Sequence, residues 1–196
     1  MIKKFLTLTL CSLLTLTPVD AAVIAFNPFQ GENVPGVDIS LHVTTDTPTN
    51  NVVLTINNDS TVQAVVTRIA IHDISSLLSQ PSPIPTWDIN NNLNIPGTAA
   101  IDFEIDYGFI VNPPPVKNGI NSGESLDIIF ADINESIQDI IYAFDDGQIR
   151  IAMHVQSIGS TEISASYIND IYIAPEPSTA VLCVLGTSFI IFRRSR

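Results

Sequence analysis

The sequence predicts an all-β fold, an antiparallel two-sheet sandwich with one short helix. Two observations predict it: apolar and polar residues alternate in short runs, and clusters of turn-forming residues separate these runs. Such alternation is typical of strands with one buried face. The chain has 196 residues and is 45% apolar, so it is long enough for one domain with its own core and too apolar for a disordered protein.

The predicted strands follow from the alternation. It is cleanest in residues 37–43, 101–107 and 149–155. Less regular apolar runs predict further strands at 52–56, 62–71, 126–130 and 163–173. Turn-forming clusters lie between them at 57–60, 90–92, 118–119 and 145–147. About seven short strands at this spacing favour a sandwich.

One segment has helical rather than alternating spacing. Apolar residues recur every three or four positions through residues 136–145, after an N-cap at Asn134-Glu135-Ser136 and before Gly147. This predicts a short helix that leads into the strand at 149–157. The proline-rich stretches 81–85 and 113–115 are predicted to be loops or sheet edges, because proline cannot donate a ladder hydrogen bond.

Charge is distributed unevenly along the chain. The net charge is −12, but residues 23–174 carry three basic side chains against 18 acidic ones. The other five basic residues are Lys3 and Lys4 at one end and Arg193, Arg194 and Arg196 at the other. Both cationic clusters adjoin an apolar run, which predicts cytoplasmic ends and an exported acidic middle. Residues 23–174 therefore lack the cluster of basic side chains with which proteins bind nucleic-acid phosphates.

The N-terminus has the features of a secretory signal peptide at residues 1–21. A basic start precedes an apolar stretch at 5–16, and Pro18 then ends the helix. Cleavage by signal peptidase is predicted between Ala21 and Ala22, since cleavage after Ala22 would place Asp20 badly. The alternatives are a buried amphipathic helix and lipid attachment at Cys11.

The C-terminus carries an apolar run of 13 residues, 180–192. As a helix it would span roughly 20 Å, short of the ~30 Å hydrocarbon core, which favours a transient transmembrane tail over a permanent anchor. Arg193, Arg194 and Arg196 would act as the cytoplasmic stop. The alternative is a core helix of the domain, which three closing arginines disfavour.

This terminus contains a recognisable motif. Pro175-Glu176-Pro177-Ser178-Thr179, the apolar run and Arg193-Arg194-Ser195-Arg196 occur in that order. Together, residues 175–196 resemble the PEP-CTERM sorting signal of Gram-negative bacteria. The resemblance implies recognition of Pro175, Glu176 and Pro177 by an exosortase, a membrane-embedded enzyme that cuts near this motif. Residues 150–159 are similar to a strand common before such tails, and this second resemblance implies no activity.

Few residues of the middle region suggest chemistry. Both cysteines, Cys11 and Cys183, lie in segments predicted to be removed. His42, His72 and His154 lie on the polar faces of their strands; they could form a metal site only if strand order joined them, and we interpret them as solvated. Trp87 could stack on a sugar, but a half-buried loop anchor is the favoured interpretation.

The acidic residues suggest calcium only weakly. Asp102, Glu104 and Asp106 would share one face of the predicted strand at 101–107. Their spacing matches no known calcium loop, so a solvated acidic face is favoured. Paired carboxylates are also used by glycosidases, but with 20 acidic residues some such pair is expected by chance.

The sequence therefore predicts an exported acidic domain, residues 22–174, that ends at the cell surface or in the extracellular matrix. We expect a structural or glycan-associated role without catalysis or a cofactor. The expected partners are signal peptidase, an exosortase, extracellular polysaccharide and, transiently, the inner membrane, but not nucleic acid. The alternatives are a secreted hydrolase that acts on polysaccharide and a calcium-dependent glycan-binding module.

Overall fold

A computed structural model describes residues 22–46 and 49–170. The predictions for the signal peptide, the Pro175-Glu176-Pro177 motif, the apolar run and the terminal arginines lie outside these residues. Ala22 lies inside them, as the first residue of the first strand. Among the residues described, no helix is both long and apolar enough to cross a membrane.

The domain is mostly β. Its strands are β1 Ala22–Gln30, β2 Ile39–Asp46, β3 Asn51–Asn58, β4 Val65–Asp73, β5 Trp87–Ile89, β6 Tyr107–Val111, β7 Ile120–Asn121, β8 Glu124–Phe130, β9 Ile149–Ile158 and β10 Ile163–Asp170. Its α-helices are α1 Pro115–Asn118 and α2 Ile137–Asp145. Short 3-10 helices also lie at Thr98–Ala100 and Gly159–Thr161.

All the described strands belong to one antiparallel sheet with the order β5-β6-β4-β9-β10-β1-β2-β3-β8, and β7 pairs with β4. The prediction of two separate sheets is therefore wrong. The sheet curls instead, so that its two ends meet: the ring centroids of Tyr107 on β6 and Phe130 on β8 are 5.4 Å apart. Near them, the backbone N–H of Ser82 donates to the carbonyl of Ile129 at 2.8 Å. Because the sheet curls on itself, one of its faces is buried without a second sheet packing against it.

The main core fills the concave face. Alternation decides its members: Leu41 on β2 and Leu54 and Ile56 on β3 are completely buried, while their neighbours in sequence are not. This confirms the strands predicted at 52–56, 126–130 and 149–155. The strands predicted at 37–43 and 62–71 are formed but displaced by two or three residues, to β2 and β4. The structure describes the last predicted strand as far as Asp170.

The predicted strand at 101–107 is wrong. The strand begins only at Tyr107, and Asp102 has a φ of +50°, which no strand residue adopts. Residues 90–106, here named the covering loop, pack over the convex face of the sheet. Phe103 and Ile95 of this loop are buried with Ala152 of β9 in a second, smaller core. The alternation of the segment therefore reflects one apolar side packed on the sheet, not strand pairing.

The predicted helix at 136–145 is confirmed as α2. A capping box starts it: the hydroxyl of Ser136 accepts from the backbone N–H of Asp139, whose carboxylate accepts from the N–H of Ser136. Ile140 and Phe144 are completely buried against the sheet. Gly147, with a φ of +70°, follows the helix and donates its N–H to the carbonyl of Phe144.

Candidate functional site

Six residues from six adjacent strands form one line across the convex face, here named the cross-strand row. Register pairs them successively as Asp88, Ile110, Arg68, His154, Ser166 and Gln30. Side chains directly opposite in antiparallel strands share a face of the sheet. The row therefore places a guanidinium, an imidazole and a hydroxyl on three neighbouring strands.

A β-bulge at Thr67 places Arg68 in this row. Val66 and Ile69 both belong to the main core although they are three residues apart, and the β4–β9 register shifts between Val66 and Arg68. In a regular strand Arg68 would lie on the same face as Val66, toward the core. The extra residue, Thr67, instead places Arg68 on the opposite, convex face. The Thr67 hydroxyl donates to the carbonyl of His154 at 3.3 Å.

Two arginines hold the covering loop over the convex face. Nη1 of Arg68 donates to the carbonyl of Asn94 at 2.8 Å. Nη1 of Arg150 donates to the carbonyl of Ile101 at 3.2 Å, and its Nη2 donates to the carbonyl of Asp102. The Arg150 guanidinium also lies 5.1 Å from the centroid of the Phe103 ring. Both guanidinium groups therefore stabilise the fold rather than remaining free at the surface.

The row ends in two pockets. A pocket of about 230 Å³ lies at its Asp88, Ile110 and Arg68 end. A pocket of about 180 Å³, here named the His154 pocket, lies at the other end. Its lining residues are Gln30, Gly31, Pro96, His154, Ser164, Ala165 and Ser166. The covering loop contributes Pro96 to its wall.

The prediction that His154 is solvated is wrong. The side chain is only 7% exposed, and Ser166 beside it is 1% exposed. Neither Nδ1 of His154 nor Oγ of Ser166 has a hydrogen-bond partner in the part of the chain that the structure describes. Burial, and secondly the positive charge of Arg68, lower the pKa of His154. The imidazole is therefore neutral at pH 7, with one nitrogen that donates and one that accepts.

The other two histidines do not join His154. His42 lies on β2, and its strand partners are Val23 and Thr55. His72 contacts Arg150, with 3.2 Å between its Nδ1 and the guanidinium Nη2. Within residues 22–46 and 49–170, no three His, Cys, Asp or Glu side chains are grouped so that they could hold a metal ion.

The three acidic residues predicted on the strand at 101–107 are exposed, as favoured, but they do not lie on a strand. Asp102, Glu104 and Asp106 are exposed on the covering loop, not aligned along a strand. Asp106 is used structurally, since its carboxylate accepts from the backbone N–H of Asp73 at 2.7 Å. Among the described residues, the three side chains therefore form no group that could hold a metal ion.

Trp87 is more deeply buried than predicted. It is 5% exposed, belongs to β5 and packs in the main core, which excludes an exposed sugar-stacking surface. A groove of about 540 Å³ lies beside it, lined by polar residues that include Thr86, Asn118 and Ser125 and by the apolar Ile120 and Leu126. Glu124 lies in the same groove, and hydrogen bonds from the backbone and then the side chain of Asn121 lower its pKa.

The sequence did not reveal that Arg68 and Ser166 lie opposite His154 on the two neighbouring strands, because only strand order and register bring these residues together. One local signal existed: the three-residue spacing of Val66 and Ile69 interrupts the alternation of β4. Comparisons with protein-family models, with curated proteins and with solved structures found nothing that matches this chain.

Proposed function

We propose that residues 22–174 form an exported acidic domain that a PEP-CTERM tail directs to the cell surface or the extracellular matrix, where it associates with glycans without catalysis. Signal peptidase would remove residues 1–21. An exosortase would act near Pro175, Glu176 and Pro177 while the tail holds the protein at the inner membrane.

The distribution of charge carries this proposal. Every acidic side chain of described burial is exposed or half-buried, except Asp73. The carboxylate of Asp73 is 4% exposed and accepts from the backbone N–H of Leu78 at 2.7 Å. Two of the three basic residues of the domain, Arg68 and Arg150, donate to carbonyls of the covering loop. The acidic surplus therefore faces water, where it would keep neighbouring copies apart and hydrated.

The described strands are compatible with processing at both ends. Their described residues run from Ala22 in β1 to Asp170 in β10. Cleavage after Ala21 and near Pro175 would therefore remove none of these described strand residues.

The surface grooves support contact with glycans. The groove of about 540 Å³ beside Trp87 is lined in part by Thr86, Asn118 and Ser125, whose side chains carry hydroxyl and amide groups. Such groups hydrogen-bond sugar hydroxyls, which an acidic surface does not repel when the sugar is neutral. Several shallow sites of this kind would bind a polysaccharide through many weak contacts.

Alanine replacement of Pro175, Glu176 and Pro177 tests the sorting step. We expect an uncleaved, membrane-retained protein, detected by fractionation and by its larger mass. Alanine replacement of Pro83 and Pro85, exposed prolines of a loop in the domain, is the matched control and should leave processing unchanged. Normal processing of the first variant would contradict the sorting proposal.

Incubation of the purified protein with extracellular polysaccharide tests the role of the domain. Co-sedimentation without release of reducing ends would support glycan association. Release of reducing ends would instead identify a hydrolase. A rise in melting temperature with millimolar calcium would favour the calcium-dependent module.

A further inference from the structure

The pocket at the Asp88 end of the cross-strand row, here named the Arg68 pocket, presents two opposite charges to solvent. Of the described residues that line it, only Arg68 and Asp88 are charged. Asp88 is exposed and Arg68 is half-buried, so a molecule that enters from solvent can contact both side chains.

The two charges lie on either side of one apolar side chain. Register places Ile110 of β6 directly opposite Asp88 of β5 and directly opposite Arg68 of β4. Opposite residues of antiparallel strands have Cα atoms about 4.5–5.5 Å apart, so the Cα atoms of Asp88 and Arg68 are about 10 Å apart. A small molecule that lies over Ile110 therefore has a cation on one side and an anion on the other.

Each charged group keeps hydrogen-bonding capacity for a ligand. Arg68 donates through Nη1 to the carbonyl of Asn94, which leaves most of the guanidinium N–H groups unused. With its amide nitrogen turned toward Asp88, Asn112 donates to Oδ2 at 2.7 Å and to Oδ1 at 3.2 Å. Both partners are neutral, and within the described chain no ion pair joins Arg68 to Asp88.

The rest of the pocket offers apolar surface to a small ligand. Pro113 and Pro115 are exposed at its wall, and Ile110 is half-buried between the two charges. Each CH₂ group buried against them would strengthen binding by a factor of roughly four. The volume of about 230 Å³ is below the range typical of drug-sized ligands.

These features select among small ligands by charge. Asp88 and the acidic surface repel a simple anion, and Arg68 repels a simple cation. A neutral sugar brings a counter-charge to neither group. A free α-amino acid brings both, because it carries a carboxylate and an ammonium on one carbon, and charge-assisted hydrogen bonds are the stronger ones. Its net charge is zero, so the acidic domain does not repel it.

We propose that the Arg68 pocket binds a free α-amino acid with an aliphatic side chain. Arg68 binds its carboxylate, and Asp88 binds its ammonium. The aliphatic side chain packs against Ile110, Pro113 and Pro115. This site goes beyond the proposed function and does not depend on glycan association.

The test measures binding to the full-length chain by isothermal titration calorimetry. Leucine is the probe, and two analogues each lack one of its charges: N-acetylleucine has no ammonium and leucine amide has no carboxylate. We expect leucine to bind at least about tenfold more tightly than either analogue, since each analogue loses a charge-assisted hydrogen bond. Alanine should bind roughly tenfold more weakly than leucine, because it buries less apolar surface. Glucose should not displace leucine.

Asp88→Asn keeps the shape of the side chain and removes its charge. Leucine should bind roughly tenfold more weakly to this variant, whereas the affinity for N-acetylleucine, which brings no ammonium, should not fall. Asp127→Asn is the matched control and should bind leucine as the wild type does. Asp127 is also exposed and also accepts from a neutral group, the Thr55 hydroxyl at 2.7 Å, but it does not line the pocket.

The comparison of ligands on the wild type decides the proposal even if Asp88→Asn is unstable. Equal affinity for leucine and either analogue would overturn it, as would the absence of leucine binding at millimolar concentration. Displacement of leucine by glucose would also overturn it. If Asp88→Asn weakens leucine and N-acetylleucine alike, its effect is structural and the assignment of Asp88 to the ammonium fails. Co-sedimentation with polysaccharide tests glycan association separately, so the two proposals can fail independently.

Discussion

Replacing Arg150 should release the covering loop from the sheet while the sheet itself stays folded. Its guanidinium donates to two loop carbonyls, those of Ile101 and Asp102, and lies over the ring of Phe103. Hydrogen bonds from a charged group contribute about 1.5–3 kcal/mol each, and a cation–π contact at an exposed site about 0.5–1 kcal/mol. The buried Nε of Arg150 has no partner among the described residues, which offsets part of this gain.

We therefore expect Arg150→Met to cost about 3 kcal/mol, because methionine keeps much of the apolar stem and loses every donor. The loss should appear as local opening, and the exchange of loop amides with solvent should accelerate roughly 100-fold. Hydrogen exchange measures it at Ala100 and Ile101, whose N–H groups donate to the carbonyls of Gly97 and Thr98.

Two further variants sharpen this test. Arg150→Lys keeps the charge but loses the planar pair of donors, so it should recover only a small part of the protection. Lys117→Met removes an exposed cation of α1 and should leave loop exchange unchanged. Unaltered exchange at the loop in Arg150→Met would refute the assignment of Arg150 as one of the two arginines that hold it.

Three further predictions concern buried polar groups and helix capping. Tyr167→Phe should raise the free energy of unfolding by about 1 kcal/mol, because the Tyr167 hydroxyl is buried without a partner in the described chain. Tyr107→Phe should lower it by about as much, because the Tyr107 hydroxyl donates to a backbone carbonyl at 2.7 Å. Urea denaturation of both variants measures the difference, and equal losses of stability would contradict it. Burial, and secondly the neighbouring arginine, lower the pKa of His154, so the imidazole binds a proton more readily in the unfolded chain than in the folded one. The free energy of unfolding should therefore fall as the pH drops below about 6.5. His154→Gln should remove this contribution to the pH dependence of stability, and His42→Gln should not. Ser136→Ala should destabilise by about 1 kcal/mol through loss of the α2 capping box, seen as a lower urea midpoint with an unchanged slope.

Local patterns located some of the regular elements of the fold, but not β1, β5 or β6. Alternation located β2 and β9, since a strand with one buried face has an apolar residue at every second position. Less regular apolar runs located β3 and β8. Helical spacing with a capping residue located α2. These patterns depend only on residues close together in the sequence. They can therefore be recognised without any knowledge of the fold.

The same reasoning failed where packing rather than periodicity determined structure. The covering loop alternates like a strand, but its apolar side packs on the sheet and Phe103 is buried without ladder pairing. His154 alternates like a solvated residue, but this loop covers the face on which it lies. An outward position on a strand predicts exposure only if nothing packs over that face.

The amino-acid sequence by itself determined that the chain forms strands, places a short helix before β9 and concentrates acidic charge between two cationic ends. Only the tertiary structure decided that the strands join into one curled sheet and that Arg68, His154 and Ser166 lie side by side. The physical reason is distance along the chain. Thr67 and His154 are 87 residues apart, and the bulge and strand register that join their strands result from packing of the whole core.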